Sequence, residues 1–188
     1  VSTFNTAIGN GALRGTTTAA NNTGITNTAV GYESMKLNSS GSRNTALGDA
    51  SLGNNSTGND NVALGRYGLY NNNVGNFNTA VGAQALYYNK ANTGTVAIGY
   101  NAMFYSDDRI SGITTGNTAI GFEALKGSST PANNTGQNNT SIGYQTLLNN
   151  TSGSQNTAIG FSSLKLNTTG SNNYAIGESS LSSNLTSN

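Results

Sequence analysis

The chain has 188 residues, net charge +1, 8% charged residues, 25 glycines, one proline and no cysteine, histidine or tryptophan. Soluble domains are typically about 25% charged, so this composition is unusual. Near-neutrality leaves no electrostatic footprint for nucleic acid or anionic membrane, and the lack of cysteine excludes a disulfide framework.

No apolar run approaches the ~20 residues of a membrane span. The chain opens at Val1 without a signal-peptide pattern, which reads as a processed product or a piece of something longer. Low charge with much Asn, Ser and Gly would suit disorder. Strict periodicity argues against it.

A string of the type "NTAIG" recurs along the chain. Its closing glycine falls at Gly9, Gly31, Gly48, Gly65, Gly82, Gly99, Gly121, Gly143, Gly160 and Gly177. The steps are 17 residues, except for three of 22 that begin at Gly9, Gly99 and Gly121. Ten units of this period, filling residues 1–188 as one domain, predict a solenoid.

Columns are read relative to that glycine. One residue before it stands an aliphatic side chain in every unit, from Ile8 to Ile176. Two before it stands Ala, except Ser141, and three before it usually Thr, except Val62, Val96 and Tyr174. Four after it stands Leu or Met, from Leu13 to Leu181.

"NTAIG" predicts a five-residue strand with Thr and Ile on one face and Asn, Ala and Gly on the other. The aliphatic residue and the later Leu are expected to point inward as two stacked ladders. The Ala and Gly stripe is then either filler in a narrow coil or a contact for a neighbouring chain. The stretch around "ALxxN" predicts a second short strand or a turn. "NSSGSRN" (38–44) and its counterparts are corner chemistry, with asparagines able to bond one another up the stack. The expected fold is therefore all-β, a parallel β-solenoid or β-roll of about ten 17-residue coils, three of them extended to 22.

The repeat "N-T-A-[IVL]-G-[YF]-x-[AS]-L-x-x-N-x-x-G-x-x-N" resembles repeats of bacteriophage tail-fibre and tail-spike proteins. It is also similar to the head repeats of trimeric autotransporter adhesins, whose "VAIG" strings build a parallel β-roll from a shorter repeat of about fourteen residues. The resemblance implies a homotrimeric, extracellular fibre segment on a virion or cell surface.

Candidate chemistry is sparse. The seven carboxylates stand mostly alone, and only Asp107 and Asp108 are neighbours, as a possible Ca²⁺ pair or a solvated loop tip partnered by Arg109. No convincing carboxylate pair for glycoside cleavage is present, so no enzyme activity and no cofactor are expected. "GNGALRG" (9–15) reads as an ordinary turn of the repeat rather than a phosphate cradle.

Two surface features suggest binding. Tyr100, Phe122, Tyr144 and Phe161 follow the glycine in four consecutive units and should stack along one edge, as a structural ladder or a surface for glycan or partner. The extensions, around 14–20, 104–112 and 126–132, should protrude, the last two side by side. Phe104, Tyr105, Asp107, Asp108 and Arg109, with Lys126 nearby, are the expected recognition patch.

Asn-x-Ser/Thr strings begin at Asn38, Asn55, Asn133 and Asn167 and carry little weight in so Asn-rich a chain. Three functions follow. The first is a structural or adhesive fibre segment, trimeric, with a receptor or glycan surface. The second is a self-assembling extracellular filament. The third is an ice-binding solenoid built on the Thr column, disfavoured because that column is expected to face inward.

Overall fold

The computed structural model describes residues 4–18 and 21–186. Each unit contributes one three-residue strand. These are β1 (Thr6–Ile8), β2 (Thr28–Val30), β3 (Thr45–Leu47), β4 (Val62–Leu64), β5 (Thr79–Val81), β6 (Val96–Ile98), β7 (Thr118–Ile120), β8 (Thr140–Ile142), β9 (Thr157–Ile159) and β10 (Tyr174–Ile176). They form one parallel sheet in sequence order. The register never slips, so Ala pairs with Ala and the aliphatic residue with its counterpart, as in Ala63↔Ala80 and Leu64↔Val81. The chain is a parallel β-solenoid.

The strand is shorter than the predicted five residues, and its faces are reversed. Ala29, Ala46, Ala63, Ala80, Ala97, Ala119, Ala158 and Ala175 are fully buried. The Thr and aliphatic columns face outward: Ile8 is 60% exposed, Leu47 50% and Ile176 71%. Alternation fixes which positions share a face, but the space inside the coil decides which face is in. Leu52, Leu69, Leu86, Leu147 and Leu164 are fully buried, together with Met35. They leave room for only a methyl group opposite. Ala therefore fills a narrow interior and is no chain–chain contact. The exception is instructive: Ser141 replaces Ala in the unit that carries Thr146, and the two hydroxyls hydrogen-bond at 2.6 Å.

Among the described residues no second strand forms after the glycine. The chain instead places residues two and four after it, and five before it, in the left-handed region, in all ten coils. Glu33 and Met35 have φ of 49° and 50°, and Arg43 has 58°. Such residues cost about 1–2 kcal/mol each. Hydrogen bonds between coils hold them there. Ala50 N–H donates to Tyr32 O of the preceding coil at 2.8 Å, and Leu52 N–H to Gly68 O of the following coil at 2.9 Å. The closing glycines take φ of 119° to 134°, where only glycine is comfortable.

Two asparagine ladders complete the interior. The first runs through the residue before each strand, with Thr95 in place of asparagine before β6. Asn61 Oδ1 accepts Asn78 N–H at 3.0 Å, while Asn61 Nδ2 donates to Asn44 Oδ1 at 3.1 Å and to Gly75 O at 2.9 Å. The second joins Asn38, Asn55, Asn72 and Asn89 at 2.7 to 2.9 Å, and Asn150 to Asn167 at 2.8 Å. Most of the ladder carboxamides are thus paired with one another and with corner carbonyls, with Asn89 Oδ1 and Asn167 Oδ1 the exceptions among the described ladder residues, which is what makes a polar interior tolerable. Among the described residues no helix is long and apolar enough to cross a membrane.

Candidate interaction surfaces

The sheet's outer face is a stripe that runs the length of the rod. Its two columns are Thr or Val, with Tyr174 in the last coil, and Ile, Val or Leu. None of these twenty positions is buried, and none is charged. At an interstrand spacing of about 4.8 Å, nine steps give a stripe of roughly 43 Å, and two residues along a strand give roughly 7 Å of width. Roughly 300 Å² of aliphatic and methyl surface is comparable to the largest apolar patch a lone soluble domain usually carries. Each flank has one ion pair, Asp49 with Arg66 at 3.7 Å on one side, where Glu178 also stands in the last coil, and Arg43 with Asp60 at 2.7 Å on the other.

Beside the stripe lies the predicted aromatic ladder. Tyr100, Phe122, Tyr144 and Phe161 stack with centroids 5.3, 5.1 and 5.1 Å apart and planes within 22°. Their faces are used on one another, and their edges meet solvent at 41–52% exposure. The ladder extends the apolar surface of coils six to nine.

A second aromatic cluster joins coils four to six. Tyr70, Tyr87 and Phe104 stack at 5.6 and 5.2 Å, and Tyr88 stacks on Tyr105 at 5.6 Å. Tyr67 meets Tyr70 edge-on at 5.2 Å, and the Arg66 guanidinium lies 4.9 Å from the Tyr67 centroid. Sequence reasoning singled out Phe104 and Tyr105 but missed Tyr67, Tyr70, Tyr87 and Tyr88. The signal was present, since 70, 87 and 104 are spaced by the repeat, as are 88 and 105. Burial holds the Tyr87 hydroxyl proton on, raising its pKa, and neighbouring tyrosines add to this.

The expected recognition loop divides differently. Phe104 and Tyr105 occupy regular columns of the sixth coil, and the extra residues follow them. Asp107 is 1% exposed, not solvated. Arg109 Nε donates to both its oxygens at 2.9 Å. Asp108 lies 3.5 Å from Lys90. The exposed tip is Arg109–Gly112, with Ile110 at 80%. The sixth and seventh coils do meet, through Tyr105 N–H to Lys126 O at 3.0 Å and a bond from Asn134 Nδ2 to Tyr105 O. The Lys126 ammonium is taken by Glu123 at 2.6 Å. In the first extension Ala19 and Ala20 lie outside the described residues. The third contains a single 3-10 turn, Pro131–Asn133.

Charges pair locally elsewhere. Lys36 holds the Glu33 carboxyl below its usual range through a 2.7 Å contact. Burial raises the Glu123 carboxyl, but Lys126 and Gln145 together bring it below its usual range. Among the described residues no group of three or more metal-ligating acids is assembled. No family model, curated protein or solved structure matches the chain.

Proposed function

We propose that the chain is a rigid segment of an extracellular fibre, a phage tail fibre or a cell-surface adhesin. Three copies associate through the Thr/aliphatic stripe, and the aromatic edges are presented to a receptor or glycan. One observation carries the reading: an uncharged apolar stripe, one rung per coil, on the outside of a solenoid whose interior is already filled. A stripe that follows the in-register stack from coil to coil suits parallel copies packed about a common axis. Rigidity follows from backbone amides that bond to the coils above and below. The test is Val81→Lys combined with Ile120→Lys. Both side chains point out of the coil, so the circular dichroism of the fold should survive while the trimer falls to a monomer. A trimer that persists overturns the assignment of the stripe. Glycan-array binding that is lost on Tyr88→Ala but retained in Tyr144→Ala would place the receptor contact on the cluster of coils four to six.

A second reading is favoured by the outward turn of the Thr column. Thr6, Thr28, Thr45, Thr79, Thr118, Thr140 and Thr157 form an outward-facing column, exposed in the first three and half-buried in the others, with Val62, Val96 and Tyr174 as its interruptions. That arrangement suits the ordering of water into an ice-like lattice. Thermal hysteresis at micromolar protein, abolished by Thr79→Lys, is the result that would promote it over the fibre.

A further inference from the structure

Two of the three long coils carry the same insertion. "ALRGTTTAANNTG" (12–24) and "ALKGSSTPANNTG" (124–136) align residue for residue. Each loop is closed by one asparagine. Asn22 Oδ1 accepts Thr16 N–H at 2.8 Å and Asn22 Nδ2 donates to Thr16 O at 3.0 Å. Asn134 does the same to Ser128, at 2.9 and 2.9 Å. Seven residues after the closing glycine, where regular coils carry the asparagine of the second ladder, these two coils carry Thr16 and Ser128. In a regular coil that side chain bonds twice, as Asn55 Nδ2 does to Asn38 Oδ1 at 2.7 Å and to Gly58 O at 2.9 Å. As donors, the asparagines that follow the insertions, Asn38 and Asn150, keep only the glycine bond, to Gly41 O at 2.8 Å and Gly153 O at 2.9 Å, while their Oδ1 atoms still accept from Asn55 and Asn167.

A cavity lies beside each of the two insertions, though the two differ in size and lining. Asn22, Gly24 and Asn38 line the first, of about 190 Å³. Their counterparts Asn134, Gly136 and Asn150 line the second, of about 20 Å³. The second also reaches into the sixth coil, where Ser106 stands in the ladder column and is too short to make the rung. Asn89 and Ser106 both line this cavity, and their buried Oδ1 and Oγ atoms have no partner among the described residues. Thr95 and Thr115, whose hydroxyls lie 2.7 Å apart, line it too.

We propose that the second cavity is a structural water site, in which a bound water replaces the carboxamide NH₂ missing from the sixth rung. It donates to Asn89 Oδ1 and bridges to Ser106 Oγ. The volume suits about one water, which needs at least ~10–15 Å³ and two to four polar partners. Two unpaired buried acceptors would otherwise cost about 1–3 kcal/mol each. The lining mixes amides and hydroxyls with Met103 and Leu125, and its one carboxylate, Asp107, is already held by Arg109, which fits water rather than a divalent cation.

The test is a crystal structure at about 1.5 Å resolution of the chain and of Ser106→Asn. The expected result is a single water within hydrogen-bond distance of Asn89 Oδ1 and Ser106 Oγ, displaced in the variant by the new side chain. Featureless density there, a peak that refines as a metal ion, or a water that persists unchanged in Ser106→Asn overturns the proposal.

Discussion

Leu86 offers a sharp test of how the coil is built. It is fully buried and sits at φ 54°. Leu86→Ile keeps the volume and the hydrophobicity, and such swaps in ordinary cores cost less than about 1.5 kcal/mol. A β-branched residue is far less tolerant of positive φ, which adds about 1–2 kcal/mol. The expected loss is therefore about 2–3 kcal/mol. Leu86→Met, which has precedent in the same column at Met35 and Met103, should lose less than about 1 kcal/mol. Urea unfolding of the two variants side by side reads the difference. Equal midpoints would refute the claim that backbone strain, and not packing alone, selects the residue in this column.

The other predictions concern the remaining columns. Gly82→Ala would place a Cβ 2.6 Å from Gly99 O at φ 127°, and should lose at least about 3 kcal/mol in thermal unfolding. Asn61→Leu strands Asn78 N–H and Gly75 O inside the coil, and should lose about 2–5 kcal/mol, with faster amide exchange at Asn78. The chain has no histidine, so stability should be flat from about pH 5 to 9. Glu33, Asp60 and Glu123 have lowered folded pKa values. Their contribution is present above the unfolded value near 4 and is lost as pH falls through the folded values. Tyr87, raised in the fold, loses its contribution as pH climbs past about 10. A transition near pH 6.5 would contradict this.

Much of this architecture was legible as columns. The 17-residue step, the parallel in-register stacking, the inward Leu, the asparagine ladders and the aromatic stack all follow from which residue recurs where. The orientation of the strand did not, because period two is blind to inside and outside. The clue lay in the tolerance of each column. Ala is nearly invariant because interior volume is fixed, while Ile, Val and Leu interchange because they lie outside it. The left-handed positions also left a trace. Leu or Met always stands four after the glycine and never Ile or Val, and the column two after it carries no β-branched residue at all. In the third such column only Thr26 is β-branched, and its hydroxyl donates to Ile25 O at 2.7 Å. The Arg109 partner expected for Asp107 is present, but Asp107 is buried rather than at a solvated tip, because nothing in "SDDRIS" marks which residues of the extension turn inward.

The fibre reading stands or falls on the stripe, and the mass of the chain in solution tests it most directly. Light scattering on a sizing column at tens of micromolar should give three chains, reduced to one by Val81→Lys with Ile120→Lys. A single-chain mass for the unmodified protein would contradict the account, leaving the Thr face free for ice, and a ladder of larger species would point instead to end-to-end assembly.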